Sequence, residues 1–273
     1  TTTPFGQHHF FAYSEQSDYG YQNYGVFRYD LDTDSQSKIL DEGYYGTVSK
    51  DGKWLYYRVY SYSSDIRRYN FETGETERVT FEPHTHIYPR ISDDQTRYCY
   101  YASPPVRAVY VADIDGSNQR LLRSLYGFTN FVFRRNDRVM NRGIVYDTEG
   151  NPVGTLIDYD EENWGVFKSE YSSNGDQLVV IVQSPPFERF GSPREETRVL
   201  LYSVAGEEIA QILPESFGIV HDVDFVNTNS GEKVLVLKRY EIGIIDKDGS
   251  NYRVLKSVSE TSGRKLAHIS SAK

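Results

Sequence analysis

The sequence predicts an all-β fold, a six-bladed β-propeller of four-stranded antiparallel blades whose ring closes when the C-terminal strand pairs into the N-terminal blade. Three observations carry this expectation. The chain writes nearly the same ten residues twice, DIDGSNQRLL at 113–122 and DKDGSNYRVL at 246–255. Weaker copies recur at a blade-like period. The composition, with 24 Tyr, 14 Phe and 2 Trp among 273 residues, favours pleated, half-buried surfaces, and no long segment shows the i, i+3, i+4, i+7 pattern of an amphipathic helix.

Each copy is anchored on the residue that follows a strand and opens a turn. The anchors are Asp30, Asn70, Asp113, Asp147, Ser203 and Asp246. They lie 34 to 56 residues apart and about 43 on average, within the ~40–45 of a four-stranded blade. Upstream of each anchor a short strand, a polar turn and a second strand are expected, as in YYGTVSKDGKWLYYRVY, IYPRISDDQTRYCYYAS, FKSEYSSNGDQLVVIVQS and HDVDFVNTNSGEKVLVLKRY. Asp-Gly and Asn-Gly pairs sit where the hairpins reverse, because glycine tolerates positive φ. Copy four, RVMNRGIVYDTEG, leaves room for only a minimal second hairpin.

Copy one departs from this plan. The chain opens at QHHFFAYS, a second-strand sequence, and KLAHISSAK at 265–273 matches the start of a copy and then stops. Pairing the two ends completes the ring and removes exposed strand edges. The expected organisation is one domain, 1–273.

Composition excludes several functions. The net charge of −9 gives nucleic acid no reason to bind. The densest basic run, FRRNDRVMNR at 133–142, reads as a solvated blade edge. Leu178 to Val182, the longest apolar run, is far short of the ~20 residues that span a bilayer, so no membrane insertion is expected. Cys99 is the sole cysteine; it forms no intrachain disulfide and is expected as a buried, inert thiol. TTTPFG opens the sequence without an initiator methionine, which reads as a mature or excised chain. No GxSxG elbow, GxGxxG or GK[ST] motif occurs, so neither acyl transfer nor phosphate cradling is supported.

The turn SKDGKWLYY and the strand ends ADIDGSNQRLL and IDKDGSNYRVL resemble the TolB-type (WD-like) β-propeller repeat over nearly the whole chain. The resemblance implies a six-bladed propeller and an envelope or extracellular setting. TolB itself also carries an N-terminal α/β domain, which is not seen in this sequence. Related propellers gate prolyl-oligopeptidase-like peptidases, act as oligogalacturonate lyases or serve as stand-alone binding modules, and fold alone does not choose among them.

If the first strand of each blade runs from top to bottom, SxDG and DxDG turns lie on the bottom. The second-to-third-strand loops and the links between blades then lie on top. The longest insertions, 14–24 and 184–196, and the segments 82–88, 158–165 and 214–221 all fall on the top face. That face is expected to bind ligand through Tyr19, Tyr21, Tyr24, Trp164, Phe187, Arg189 and Arg194, flat apolar platforms with charges that fix orientation. His84 and His86, on one side of an extended segment, could share a metal with His221. This loosely resembles the histidine-bound metal of oligogalacturonate lyases, although Phe81 stands where the resemblance calls for Gln. DLDTDSQSKILD at 30–41 suggests calcium through Asp30, Asp32, Asp34 and Asp41, but Ser35 replaces the loop glycine and a turn is expected.

The leading expectation is a monomeric, non-catalytic module, without cofactor, that recognises a protein segment or glycan. The alternative, from a different class, is a histidine-metal polysaccharide lyase or related carbohydrate-active enzyme, which would hold a divalent metal ion.

Overall fold

A computed structural model describes residues 9–18, 23–59, 65–80, 85–103, 108–124, 131–134, 138–141, 143–157, 165–184 and 196–272. These residues form six four-stranded antiparallel sheets. The first blade contains β1 (Phe10–Ser17), β2 (Asn23–Asp30) and β3 (Ser35–Leu40), and the second β4 (Tyr44–Val48), β5 (Trp54–Arg58), β6 (Ile66–Asn70) and β7 (Thr76–Arg78). The third is β8 (Thr85–Ile91), β9 (Arg97–Ser103), β10 (Ala108–Asp113) and β11 (Arg120–Ser124). The fourth is β12 (Phe131–Arg134), β13 (Arg138–Asn141), β14 (Ile144–Asp147) and β15 (Pro152–Thr155). The fifth is β16 (Gly165–Tyr171), β17 (Gln177–Gln183), β18 (Thr197–Ser203) and β19 (Glu208–Leu213), and the sixth β20 (Asp222–Thr228), β21 (Gly231–Leu237), β22 (Glu241–Ile245) and β23 (Arg253–Ser257). The last strand, β24 (Arg264–Ser271), returns to the first blade, whose order is β24-β1-β2-β3.

Every anchor read from the sequence is the last residue of a blade's third strand or, for Asp246, the residue just after it, and organises the turn that follows. Asp30 accepts the amides of Asp32 and Thr33 at 3.1 and 3.0 Å, and Asn70 those of Glu72 and Thr73 at 2.8 and 3.1 Å. The twin decapeptides repeat one turn nearly atom for atom. Asp113 accepts from Asn118 Nδ2 at 2.6 Å and Asp246 from Asn251 Nδ2 at 2.7 Å, while Asp115 and Asp248 each accept a serine amide at 2.9 Å. These side-chain bonds satisfy turn amides that no ladder reaches. The acidic run at 30–41 is such a turn: Asp30 is engaged as above, Asp32 is held by His9 Nδ1 at 2.9 Å, and Asp34 accepts from the Tyr29 hydroxyl at 2.5 Å.

Stability comes from packing between blades. Each blade is apolar on both faces and is sandwiched by its neighbours, so six apolar clusters lie between successive blades. Val179, Ile181, Val199 and Leu201 of blade five meet Val223, Phe225, Val234 and Val236 of blade six. Tyr56 and Ile66 of blade two meet Tyr98, Tyr100 and Ala112 of blade three. Much of the tyrosine is therefore interblade filler: Tyr13, Tyr56, Tyr57, Tyr98 and Tyr100 are each under 2% exposed. Cys99 is wholly buried in the same way, and burial pushes its thiol well above the ordinary value. Blade four keeps four strands of four residues each, with Gly143 at φ +79 in the tight reversal before β14.

Glycine in the third turn also sets how closely blades approach. Gly249 has φ +83, and a Cβ there would stand 2.7 Å from the carbonyl oxygen of Ile212 in the preceding blade. Gly116 repeats the arrangement, 2.8 Å from the carbonyl oxygen of Val79. Gly263 has φ +67 but open space around it. We therefore expect Gly249→Ala to destabilise by at least about 3 kcal/mol, backbone strain plus overpacking. Gly263→Ala should cost only about 1 kcal/mol. Urea unfolding of the two variants measures the difference, and equal losses would show that the blade contact adds nothing.

Closure of the ring uses more than one ladder. β24 pairs with β1 from Phe11↔Ser271 to Ser17↔Arg264, with a slip at Tyr13/Ser14. On its other side, blade six reaches across: Asp222 Oδ2 accepts the Ile269 amide at 3.2 Å and Asp224 Oδ2 the Ser271 amide at 2.8 Å. Blade two adds a bond from the Val48 amide to Ser270 Oγ at 2.9 Å. Leu266 and Ile269 enter the cluster between blades six and one, and Ala272 that between one and two.

Candidate functional site: the mouth of the channel

The innermost strands β24, β4, β8, β12, β16 and β20 neighbour one another around the axis. Their first residues lie at the end where the blades are linked, and irregularities in three of them change which side chains reach the channel. In β24 the slip leaves His268 at φ +52, and in β8 a slip between Ile87 and Arg90 leaves Tyr88 at φ +58. In β16 the slip between Val166 and Lys168 presents Phe167, 38% exposed in a strand that is otherwise buried. Bulges of this kind re-aim a side chain without ending the strand. Tyr88 and His268 meet edge to face, ring centres 6.4 Å apart.

Together with the ends of β1 and β21 and the short β21–β22 hairpin, these residues enclose a cavity of about 360 Å³. Its lining includes Gln16, Asp18, His221, Leu237, Arg239 and Lys265. Below it lies a mostly buried charge network. Lys168 pairs with Asp222, both side chains about 5% exposed or less, and lies 4.0 Å from Glu170, which in turn pairs with Arg90 at 3.4 Å. Arg90 donates to Thr47 Oγ1 at 2.8 Å, linking blades two, three, five and six. Past this network a smaller cavity, about 60 Å³, opens between Thr47, Arg90, Glu170, Asp224 and Ser270. Lys168 bridges the two levels, contacting Asp222 above and Glu170 below.

Among the described residues the cavity is lined by two cations, Arg239 and Lys265, and two carboxylates, Asp18 and Asp222, of which Asp222 is engaged by Lys168. Arg239 pairs with Asp18 at 3.3 Å, whereas no carboxylate lies within 4.0 Å of the Lys265 ammonium among the described residues. Burial, then the Arg239 charge, lowers the pKa of Lys265, with the Asp18 carboxylate opposing them from beyond contact distance. Burial also lowers that of His221, with Arg239 and Lys265 adding to it. His268 is pushed well down, first by burial and then by Lys168, Arg90 and Lys265. Asp222 is 3.9 Å from its Nδ1, but that carboxylate is engaged by Lys168. Both imidazoles are therefore neutral near pH 7, and the positive charge that the cavity presents comes from Arg239 and Lys265.

Most residues nominated from the sequence are not part of this cavity as described. Tyr19, Tyr21, Trp164, Phe187, Arg189, Arg194 and His84 lie outside the described residues. His86 belongs to β8 rather than to a loop, its backbone paired with Ala102; its side chain also lies outside the description. Tyr24 stands at the start of β2 with the Arg264 guanidinium 4.4 Å above its ring, beside the cavity and not in its lining. His221 does line it. Among the described residues, no group of three or more His, Cys, Asp and Glu side chains is gathered as a metal would require. Sequence reading passes over Arg239, Lys265, His268, Tyr88 and Phe167, although charged residues inside innermost strands, as in FKSEY and KLAHIS, are an available signal.

With this geometry in hand, three solved structures give the fold its class. The chain is similar to TolB from Acinetobacter baumannii, with a TM-score of 0.75 and 15% identity over 97% of this chain and 67% of that one. It is similar to a chain of a nidogen/laminin complex, with a TM-score of 0.67 and 12% identity over 96% and 97% of the two chains. An oligogalacturonate lyase in complex with manganese gives 0.55 and 13% over 88% and 74%. No protein-family model and no curated protein matches the sequence. The protein is thus a six-bladed propeller with a TolB-like fold, and identities of this size carry the fold alone.

Proposed function

We propose that this propeller is a non-catalytic binding module whose channel mouth and surrounding top face recognise a protein segment. The observation that supports this best is the cavity of about 360 Å³ at the mouth, which combines the exposed Phe167 ring and Leu237 with Arg239 and Lys265. An apolar wall with a few polar groups that fix orientation is the usual make-up of a ligand site. The similarity to TolB and to a chain from a nidogen/laminin complex is consistent with partner recognition, and an envelope or extracellular setting goes with the same reading. The histidine-metal lyase reading draws less support. His221 is the one nominated histidine whose side chain lines the mouth among the described residues, and the neighbouring cations Arg239 and Lys265 oppose a divalent ion there.

Site-specific photo-crosslinking tests the proposal. A photoreactive residue in place of Phe167 should yield discrete protein adducts in an extract of the source cells, and the same residue in place of Asp115, in a turn at the opposite end, should yield none. Equal adducts at both positions, or none at 167, would contradict it. So would stoichiometric transition metal in the purified chain that is lost in a His84→Ala/His86→Ala variant.

A further inference from the structure

Lys265 is an expensive residue to keep where it is. A half-buried ammonium whose nearest counter-charge, Asp18, stands beyond ion-pair distance and is already engaged by Arg239 costs stability, and replacing it with an apolar side chain would relieve that cost. Its surroundings are not hostile to a ligand: Leu237 and Leu266 line the same cavity, Arg239 lies close enough to depress its pKa, and the imidazole of His221 makes no hydrogen bond among the described residues. Arg239 reaches Asp18 Oδ1 with two of its nitrogens, Nε at 3.4 Å and Nη2 at 3.3 Å, and keeps its remaining donors for a ligand. The arrangement is a cationic spot with an apolar rim on a protein of net charge −9.

We infer that Lys265, with Arg239 beside it, is the docking point for a carboxylate of the bound segment, an Asp or Glu side chain that enters the mouth past Phe167. This rests on the proposal that the mouth binds a protein segment, and deepens it by naming the chemistry of the anchor. The entering carboxylate supplies the direct ion-pair contact that Asp18, held by Arg239, does not give Lys265. A charge-assisted hydrogen bond in a recessed site is stronger than one between neutral groups, and Arg239 offers a second set of donors. His221, neutral, can donate one ring N–H to the same group. Because the contact is ionic, added salt weakens it.

The test is a titration of the folded chain, followed by NMR, with N-acetyl-glutamate methylamide and separately with its glutamine counterpart. The glutamate probe is expected to shift the backbone amides of His221, Arg239 and Lys265 in a saturable way, at least tenfold more tightly than glutamine. Lys265→Met should lose at least tenfold in affinity while its Tm stays equal or rises, since a half-buried cation with no direct ion pair among the described residues has been removed. Arg239→Gln provides a second variant with the same expected direction, and Arg120→Gln, on an exposed outer strand, should bind as the parent does. Equal binding of glutamate and glutamine, an unaffected Lys265→Met variant, or an equal response to sodium sulfate would overturn the inference. Crosslinked adducts at 167 without any preference for glutamate would leave the mouth as a binding site and remove the anchor; a glutamate-specific response without adducts would do the reverse.

Discussion

A chain ending at Gly263 is expected to lose cooperative folding. The missing segment is the whole innermost strand of the first blade, and it carries Leu266, Ile269 and Ala272, each 3% exposed. Deleting a single buried aliphatic side chain costs ~2–5 kcal/mol, and a domain has only ~5–15 kcal/mol in total. The truncation also strips β1 of one ladder and leaves Asp222 and Asp224 without the amides they accept. Circular dichroism should show no sharp thermal transition, and size exclusion should show aggregates formed through the bared edge of β1. Adding a synthetic 264–273 peptide should restore a transition. A truncated chain that melts within a few degrees of the parent would show that closure contributes little.

Asp222→Ala should be among the most damaging single substitutions. Lys168, 5% exposed, would lose its nearer ion-pair partner and keep Glu170 at 4.0 Å, and the Ile269 amide would lose its acceptor. Removing one member of a buried pair costs up to about 3–5 kcal/mol, because the remaining charge stays buried with its pairing weakened. Replacing both members by apolar residues, Lys168→Met with Asp222→Leu, should recover much of that loss. Removing Glu149 from its pair with Arg120, where the side chains are 55% and 60% exposed, should change stability by less than about 1 kcal/mol. Urea unfolding of the parent and these three variants measures the differences; a loss at Asp222 no larger than at Glu149 would show that the buried network is not a constraint on the fold.

The ring is legible in the sequence because its signals are local. Each anchor, from Asp30 to Asp246, makes its turn with residues two to five positions away, so the same letters recur wherever the same turn does. Closure is legible because copy one lacks a strand and the far end offers one; the strand observed, Arg264–Ser271, begins one residue earlier than KLAHISSAK and ends before its last two residues. The site is less legible. Loop length points to the insertions, whereas the described mouth takes Arg239 from a three-residue hairpin and Lys265 and His268 from the closing strand. Innermost strands are buried on both faces, so alternation does not say which side chains meet the axis, and the bulges at Tyr88, Phe167 and His268 break what alternation there is. HTH at 84–86 reads as an extended segment linking two blades on the top face; the place of His86 in β8 comes from pairing with Ala102.

Amide hydrogen exchange of the intact chain tests ring closure most directly. The amides of Ile269 and Ser271, held by Asp222 and Asp224 across the seam, should exchange only through global unfolding, as slowly as those of Val179 and Val180 in the centre of β17. Exchange of these two amides at the rate of a free chain end, with β17 still protected, would mean that the seam is open and that the mouth built on it is not a fixed site.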